Sequence, residues 1–182
     1  MGSVGRDPEV KEINGTKYAS FTLATNESYK DKNGDRQTIT DWHNIVFDRR
    51  YVAVLCGEME QEGGTVRSWL KDNKAYVTYS SPTDNGGKEA ITHYRRVATN
   101  GRFTLAEMRL ETGRKNQIRV HMKDLGYPVA GDVKYGNGQN PVRRLALHAF
   151  RLHFYHPRTG ELMKFDTPHP TNFTRLFQVK DN

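Results

Sequence analysis

The stretch at residues 103–125 constrains the fold most, because two kinds of periodicity meet there. Phe103–Leu110 is strand-like and ends at a Thr-Gly turn. The next residues have helical spacing, with three apolar side chains on one face: Ile118, Met122 and Leu125. This part of the chain must therefore fold as a strand that leads directly into a short helix.

The cations of this helix and of the turn before it point away from the apolar face: Arg114, Lys115, Arg119 and Lys123. A strand that leads into a cationic helix start suits a phosphate-bearing partner, because free backbone N–H groups and guanidinium groups converge there. The alternative is a solvated basic helix packed on a sheet. Spacing alone leaves both interpretations open.

Strand signals dominate the rest of the chain. The predicted strands are Lys17–Asn26, Gln37–Phe47, Arg50–Gly57, Lys74–Ser80, Glu89–Ala98, Arg102–Glu111, Leu145–Tyr155 and Leu162–Phe165. Asp31–Asp35 predicts a hairpin turn with Asn-Gly at its centre, and Gly63-Gly64 predicts another turn. Helices are expected at Asn116–Leu125 and Pro170–Phe177. The sequence therefore predicts an α+β fold that is rich in antiparallel strands.

An ordered series of motifs between residues 48 and 170 resembles the RluA-type RNA pseudouridine synthases. The motifs are a Tyr-containing strand at 50–58, a Lys-Glu-Ala-x-Thr strand at 87–95, Gly-Arg-x-x-Gln-Ile-Arg-Val-His at 113–121, a Gly-Asp-x-x-Tyr-Gly loop at 126–136, and two segments at 144–152 and 156–160. The resemblance implies that residues 47–182 form the C-terminal part of a pseudouridine synthase catalytic domain. That domain is a mostly antiparallel sheet.

The resemblance also implies a chemistry and a site. The family's enzymes detach uracil from its ribose, rotate it and rejoin it through C5, after the base has been flipped out of its stack. Arg119 would form an ion pair with the nucleophilic carboxylate, and Tyr51 would line the uracil pocket. The alternatives are a surface charge for Arg119 and an ordinary strand residue for Tyr51. Further residues would hold phosphates of rRNA or tRNA, or support the site: Arg114, Lys115, Gln117, His121 and Lys123.

The family's nucleophile is an Asp in a His-Arg-Leu-Asp-x-x-Thr-Ser-Gly segment, and these 182 residues do not contain that segment. Asp132 belongs to the Gly-Asp-x-x-Tyr-Gly motif and is expected to cap a loop. Asp48 and Asp41 lie outside any matching catalytic motif. We therefore expect no synthase activity from this chain alone. Arg119 is expected to be an uncompensated charge in a pocket that takes up water or anions.

Residues 4–46 resemble the front of a bacterial single-stranded-DNA-binding protein, whose family has an OB fold. The resemblance lies in Val4–Val10, Phe21–Tyr29 and Thr40–Asn44. It implies a partial OB-fold hairpin over residues 1–46 and a join of two fragments near residues 43–50.

This N-terminal part predicts an alternative function in binding single-stranded DNA. Tyr29 and Trp42 match two of the family's base-stacking positions. The other possibility is that Trp42 and Phe21 pack against the C-terminal sheet. Open sheet edges on such a hairpin also invite self-association.

Charge divides the chain in a similar way. Residues 1–46 contain 6 Lys/Arg and 7 Asp/Glu, which gives a net charge of −1. Residues 47–182 contain 22 Lys/Arg and 14 Asp/Glu, which gives a net charge of +8. A basic excess of this size favours a nucleic-acid partner, although it also serves general solubility.

The other compositional features point to an ordinary protein of the cytoplasm. Cys56 is the only cysteine, lies in an apolar run and is expected to be a small core residue. No apolar stretch approaches the ~18 residues that span a bilayer, and the N-terminus lacks a signal-peptide core. His148, His153 and His156 have suggestive spacing but lack Cys or carboxylate neighbours, so we expect no metal and no cofactor.

Overall fold

The computed structural model describes residues 2–4, 9–13, 16–156 and 159–177, with side chains at 22–24, 26–40, 48–156 and 159–177. These residues form one sheet of ten strands, in which the pairings are antiparallel. The strands are β1 Gly2–Val4, β2 Glu9–Ile13, β3 Thr16–Lys30, β4 Arg36–Cys56, β5 Gly63–Asp72, β6 Thr78–Ser81, β7 Lys88–Thr99, β8 Phe103–Leu110, β9 Leu147–Tyr155 and β10 Leu162–Asp166.

The helices occupy the two predicted places. Helix α1 is Gln117–Asp124, and helix α2 is Thr171–Thr174, followed by a 3₁₀ turn at Arg175–Phe177. The α+β class and the mostly antiparallel sheet predicted from the sequence are confirmed. The hairpin turn at Asp31–Asp35 is also present, with the N–H of Gly34 donating to the carbonyl of Asp31 at 3.0 Å and Gly34 at φ 86°.

Strand β4 runs without interruption through the place where the sequence predicted a join. Its first part pairs with β3, from Arg36 to Phe47, and its second part pairs with β8, from Arg50 to Cys56. Strand β9 pairs with residues 47–53 of β4 on the opposite edge. The predicted break between two strands at residues 47–50 is therefore wrong, because one long strand carries both sets of pairings.

The N-terminal hairpin belongs to this same sheet. Strands β1 and β2 pair with β3, and β3 pairs with β4. Within the part of the chain that the structure describes, these strands form an open sheet. The OB-fold interpretation of residues 1–46 gains no support from a hairpin alone and stays a prediction.

Strand β5 was missed because its first residues, Gly63 and Gly64, were interpreted as a turn. A Cβ at Gly63 would lie 2.8 Å from the carbonyl oxygen of Tyr94 on β7, so this glycine permits a close approach of two backbones within the sheet. The true turn follows β5, where the Asn73 side chain accepts from the N–H groups of Ala75 and Val77. That turn replaces the first half of the predicted strand Lys74–Ser80.

The core lies where β4 and β8 meet helix α1. Fully or nearly fully buried side chains from the three elements and from α2 form one cluster, which includes Val52, Val54, Leu55, Leu105, Met108, Ile118, Met122 and Phe173. Leu125 packs against this cluster, so the predicted apolar face of α1 is confirmed. Cys56 is also part of the cluster, and burial raises the pKa of its thiol.

Candidate functional site

Gln117, the first residue of α1, fastens the turn before the helix to the neighbouring strand. Its Oε1 accepts from the Thr112 hydroxyl at 2.8 Å and from the N–H of Arg114 at 2.9 Å. Its Nε2 donates to the carbonyl of Ile91 at 3.0 Å and to the Thr92 hydroxyl at 2.9 Å. The oxygen and the nitrogen of this buried amide are thereby both engaged, so Gln117 holds the turn before α1 against β7.

His121 is completely buried one turn further along α1. Its Nδ1 lies 2.8 Å from the Thr92 hydroxyl and its Nε2 lies 2.9 Å from the Ser68 hydroxyl. Both ring nitrogens of His121 are therefore engaged by hydroxyl groups, each of which can either donate or accept. Burial lowers the pKa of His121 to about 4, so the ring is neutral near pH 7.

These positions correct one expectation from the sequence. A neutral, fully buried ring is not placed to contact a phosphate, so the expectation that His121 holds one is wrong, and its role in supporting the site stays a prediction. Lys115 and Lys123 are exposed, as phosphate contacts require. Lys115 forms an ion pair with Asp72 at 2.8 Å.

Arg119 is held by an acidic partner. Its Nε and one terminal nitrogen donate to the two carboxylate oxygens of Asp132 at 2.7 and 2.8 Å, and its other terminal nitrogen donates to Asn116 at 2.8 Å. The guanidinium also lies over the Tyr135 ring, 4.8 Å from its centroid. The expectation that Arg119 is an uncompensated charge is therefore wrong.

Asp132 serves both this ion pair and the turn that contains it. Its Oδ1 accepts from the N–H groups of Lys134 at 2.9 Å and Tyr135 at 3.0 Å, which confirms the predicted loop-capping role. Burial by itself raises the pKa of Asp132, but the hydrogen bonds from Arg119 and the two N–H groups outweigh it, so the pKa lies below its usual range. Only 1% of the side chain is exposed, so this carboxylate is closed to a substrate.

Tyr51 and Arg119 meet in an open cleft of about 210 Å³. Its lining residues come from β4, β8, β9, α1 and the turn before the helix: Tyr51, Leu110, Arg114, Asn116, Gln117, Ile118, Arg119 and Leu147. One tyrosine, three aliphatic residues and two arginines thus line the same cleft. This combination suits a flat polar ring that belongs to a phosphate-bearing ligand.

Among the described side chains that line the cleft, none is a carboxylate. Asp48, the nearest sequence candidate, is 7% exposed and accepts from the Nε of Arg50 at 3.1 Å. Asp48 and Arg50 are thus in contact on one side of β4, and neither belongs to the residues that line the cleft. The side chain of Asp41 lies outside the described residues.

Asn116 is the site residue that sequence reasoning missed. It adopts a left-handed conformation, with φ 55°, and its amide donates to the hydroxyl groups of Thr78 and Tyr135 at 3.2 and 3.3 Å. Its Oδ1 accepts from Arg119. The signal was available in principle, since Asn just before a helix tolerates positive φ better than most residues.

The two residues predicted to stack on single-stranded DNA lie on the hairpin of β3 and β4. Tyr29 is 51% exposed and pairs with Gln37 across the hairpin. Trp42 pairs with Ala24 through its backbone, but the side chains of Trp42 and Phe21 lie outside the described residues. The stacking role and the packing role therefore both stay predictions.

The described residues show neither a metal-binding cluster nor a membrane-spanning helix. Within the described ranges, no group of three or more His, Cys, Asp or Glu is arranged to hold a metal ion. His148 lies 3.0 Å from the Thr167 hydroxyl and His153 lies 2.6 Å from the Asp166 carboxylate. The described helices are all too short or too polar to cross a membrane.

Residues 32–124 match the model of a protein family described as RNA pseudouridylate synthase. The chain is 41% identical over 143 residues to the uncharacterized RNA pseudouridine synthase YlyB of Bacillus subtilis, covering 74% of this chain and 45% of that protein. It is 38% identical over 155 residues to ribosomal large subunit pseudouridine synthase D of Pasteurella multocida, covering 78% of this chain and 47% of that protein. The chain thus spans about half the length of the curated relatives it matches.

Solved structures with the same fold have much lower identity. Human RNA pseudouridylate synthase domain containing 1 matches with a TM-score of 0.61 and 17% identity, over 93% of this chain and 84% of its own. Human RNA pseudouridylate synthase domain containing 4 matches with a TM-score of 0.56 and 19% identity. The match covers 70% of this chain and 60% of that protein's chain. The family match begins at residue 32, inside the stretch that resembles a single-stranded-DNA-binding protein.

Proposed function

Because the chain belongs to the RNA pseudouridylate synthase family, we propose that it binds uridine-containing RNA and takes the target base into the cleft between Tyr51 and Arg119. The observation that carries this proposal is that Tyr51, Arg114 and Arg119 line one cleft together with aliphatic residues. A flipped base needs stacking and apolar contact in place of its neighbours, and the adjacent phosphate needs a cation.

Five of the lining residues have distinct roles in this proposed binding. The ring of Tyr51 and the side chains of Leu110 and Leu147 provide the contact surface for uracil. Arg119 is held in place by Asp132 and Asn116, so its position is fixed before the base arrives. Arg114 is oriented by a 2.9 Å hydrogen bond from its Nε to the carbonyl of Glu89 and contributes charge at the rim.

The same cleft accounts for a proposed lack of turnover. Isomerisation of uridine in this family depends on a nucleophilic Asp, and the printed sequence lacks the His-Arg-Leu-Asp segment. Asp132 is buried in its ion pair, and Asp48 is paired with Arg50 and does not line the cleft. We therefore expect no pseudouridine from the purified chain. Turnover that is lost in Asp48→Asn would overturn this part of the proposal.

A binding titration tests the proposed function. The titrants are a labelled RNA stem-loop with one unpaired uridine, the same stem-loop with cytidine at that position, and oligo-dT of equal length. We expect the uridine stem-loop to bind most tightly and Arg114→Ala to weaken it about tenfold, as for a cation that contacts phosphate. Lys164→Ala, which removes an exposed lysine on β10 away from the cleft, should bind like the wild type.

The titration also tests the alternative function. If the N-terminal hairpin binds single-stranded DNA, oligo-dT is preferred over both stem-loops and the preference disappears in Trp42→Ala. That result would contradict the proposed function. The hairpin contains the exposed ring of Tyr29, but one ring on an open pair of strands is a small platform.

A further inference from the structure

We infer that the RNA strand next to the flipped base lies in a second groove, of about 510 Å³, between the β5–β6 hairpin, the start of β7 and the turn before α1. This inference rests on the proposed function, because it assigns a backbone subsite to the same RNA. The groove is lined by Leu70, Lys71, Asp72, Thr78, Gly86, Gly87, Lys88, Gly113, Arg114 and Lys115.

The charge of this groove suits a phosphodiester strand. Four of its lining residues are cations and one is an anion: Lys71, Lys88, Arg114 and Lys115 against Asp72. The topology brings them to one groove in two ways: Lys88 of β7 pairs directly with Leu70 of β5, and the ammonium of Lys71 donates to the carbonyl of Asn85 at 3.3 Å, in the loop that leads to β7. A net charge of +3 on the residues that line one groove is the electrostatic footprint of a phosphate-binding surface.

The one anion is already engaged. Asp72 accepts from the Lys115 ammonium at 2.8 Å and from the Thr78 hydroxyl at 2.6 Å. Both members of the Lys115–Asp72 pair are more than one-third exposed, so water screens their attraction. A phosphate can therefore replace Asp72 as the partner of the Lys115 ammonium without breaking a buried interaction.

Glycines leave the groove open to a sugar-phosphate chain. Gly86, Gly87 and Gly113 contribute lining without side chains. A Cβ at Gly87 would lie 2.6 Å from the carbonyl oxygen of Leu70, and Gly86 has φ +74°, so this corner of the loop favours glycine on steric grounds. Such positions allow a ligand to approach the backbone closely.

Arg114 connects the two cavities, because it lines both the groove and the cleft that holds Tyr51. A strand that runs along Lys71 and Lys88 therefore reaches the base pocket at Arg114. In this arrangement the groove contacts phosphates and the cleft contacts the base. The two cavities should consequently respond differently to salt and to base identity.

The test measures RNA affinity at several salt concentrations with the uridine and cytidine stem-loops. The slope of log affinity against log salt is negative, and we expect the double variant Lys71→Ala/Lys88→Ala to make it less steep by about 1.4, which is about 0.7 for each lost single-strand phosphate contact. The preference for uridine over cytidine should be unchanged. Asp72→Asn, which removes the anion and keeps an acceptor for Thr78, should strengthen binding.

Lys164→Ala serves as the matched control and should keep the wild-type slope. Because Lys71 and Lys88 are exposed, the double variant should also keep the wild-type thermal unfolding curve. A double variant with unchanged slope and affinity would overturn the groove assignment while leaving the proposed function in place. A wild-type chain that binds neither stem-loop would instead overturn the proposed function, and the groove with it.

Discussion

Asp132 accepts four hydrogen bonds from three residues although it is almost fully buried, and so it fixes both a turn and the guanidinium of Arg119. The sequence singled out both Asp132 and Arg119 but did not show that they form an ion pair. Asp132 was predicted to cap its loop and Arg119 to lie in the pocket, yet their ion pair depends on a 13-residue separation that only the fold closes. Conversely, burial of His121 could not be inferred, because helical spacing alone does not show which neighbours cover a side chain.

At this scale, Asp132→Asn should destabilise the protein. The amide still caps the turn, but Arg119 loses its charged acceptor, at a cost of about 2 kcal/mol in the free energy of unfolding. Urea denaturation at pH 7 measures this difference. Asp35→Asn at the exposed hairpin turn is the control and should change stability by less than about 0.5 kcal/mol. Equal stability of the two variants would mean that the Arg119–Asp132 pair contributes nothing.

The second prediction at this scale concerns His121 and the pH dependence of the free energy of unfolding. Its pKa falls from 6.5 to about 4 on folding, so the unfolded state binds the proton more tightly. The contribution of the neutral ring to stability is complete above pH 6.5 and is lost as pH falls towards 4. Between pH 7.5 and 4.5 this loss is about 2.5 kcal/mol.

The measurement is the free energy of unfolding of the wild type and His121→Gln across that pH range. The glutamine does not titrate, so the difference between the two proteins should shrink by most of that amount as pH falls. A constant difference would show that His121 titrates alike in the folded and unfolded states.

At the scale of elements, β4 decides how the chain is organised. Its 21 residues pair with β3, β8 and β9, and so connect the N-terminal hairpin to the sheet that lines the cleft. Most strands and both helices were predictable, because apolar alternation and helical spacing are local signals. The continuity of β4 was not, because two separate resemblances meet at residues 43–50. Strand β5 was missed because the close contact of Gly63 with Tyr94 is not visible in sequence.

Amide hydrogen exchange tests the continuity of β4. The amides of residues 50–56 should be among the slowest to exchange, because strands on both edges and a buried core protect them. Protection should extend through residues 43–49 without a gap. Rapid exchange confined to residues 43–50, with slow exchange on both sides, would indicate a linker between two separate units.

At the scale of the whole molecule, part of the positive charge is gathered at the cleft and the groove, which five cations line: Lys71, Lys88, Arg114, Lys115 and Arg119. Residues 47–182 carry the net charge of +8 that the sequence attributed to a nucleic-acid partner. The fold gives that charge a location, because β5, β7 and the turn before α1 gather cations next to the cleft. The chain matches about half the length of its curated relatives, so the test is directed at the proposed base pocket, whose lining residues this chain contains.

The measurement that tests the base pocket most directly is the fluorescence of 2-aminopurine placed next to the unpaired uridine of the stem-loop. Flipping of the uridine unstacks its neighbour, so binding of the wild-type chain should raise the fluorescence. Tyr51→Leu should bind the stem-loop with a smaller rise, because the flipped base loses the aromatic ring of its pocket. Tight binding with no rise, or an equal rise in Tyr51→Leu, would contradict the assignment of the Tyr51–Arg119 cleft as the base pocket.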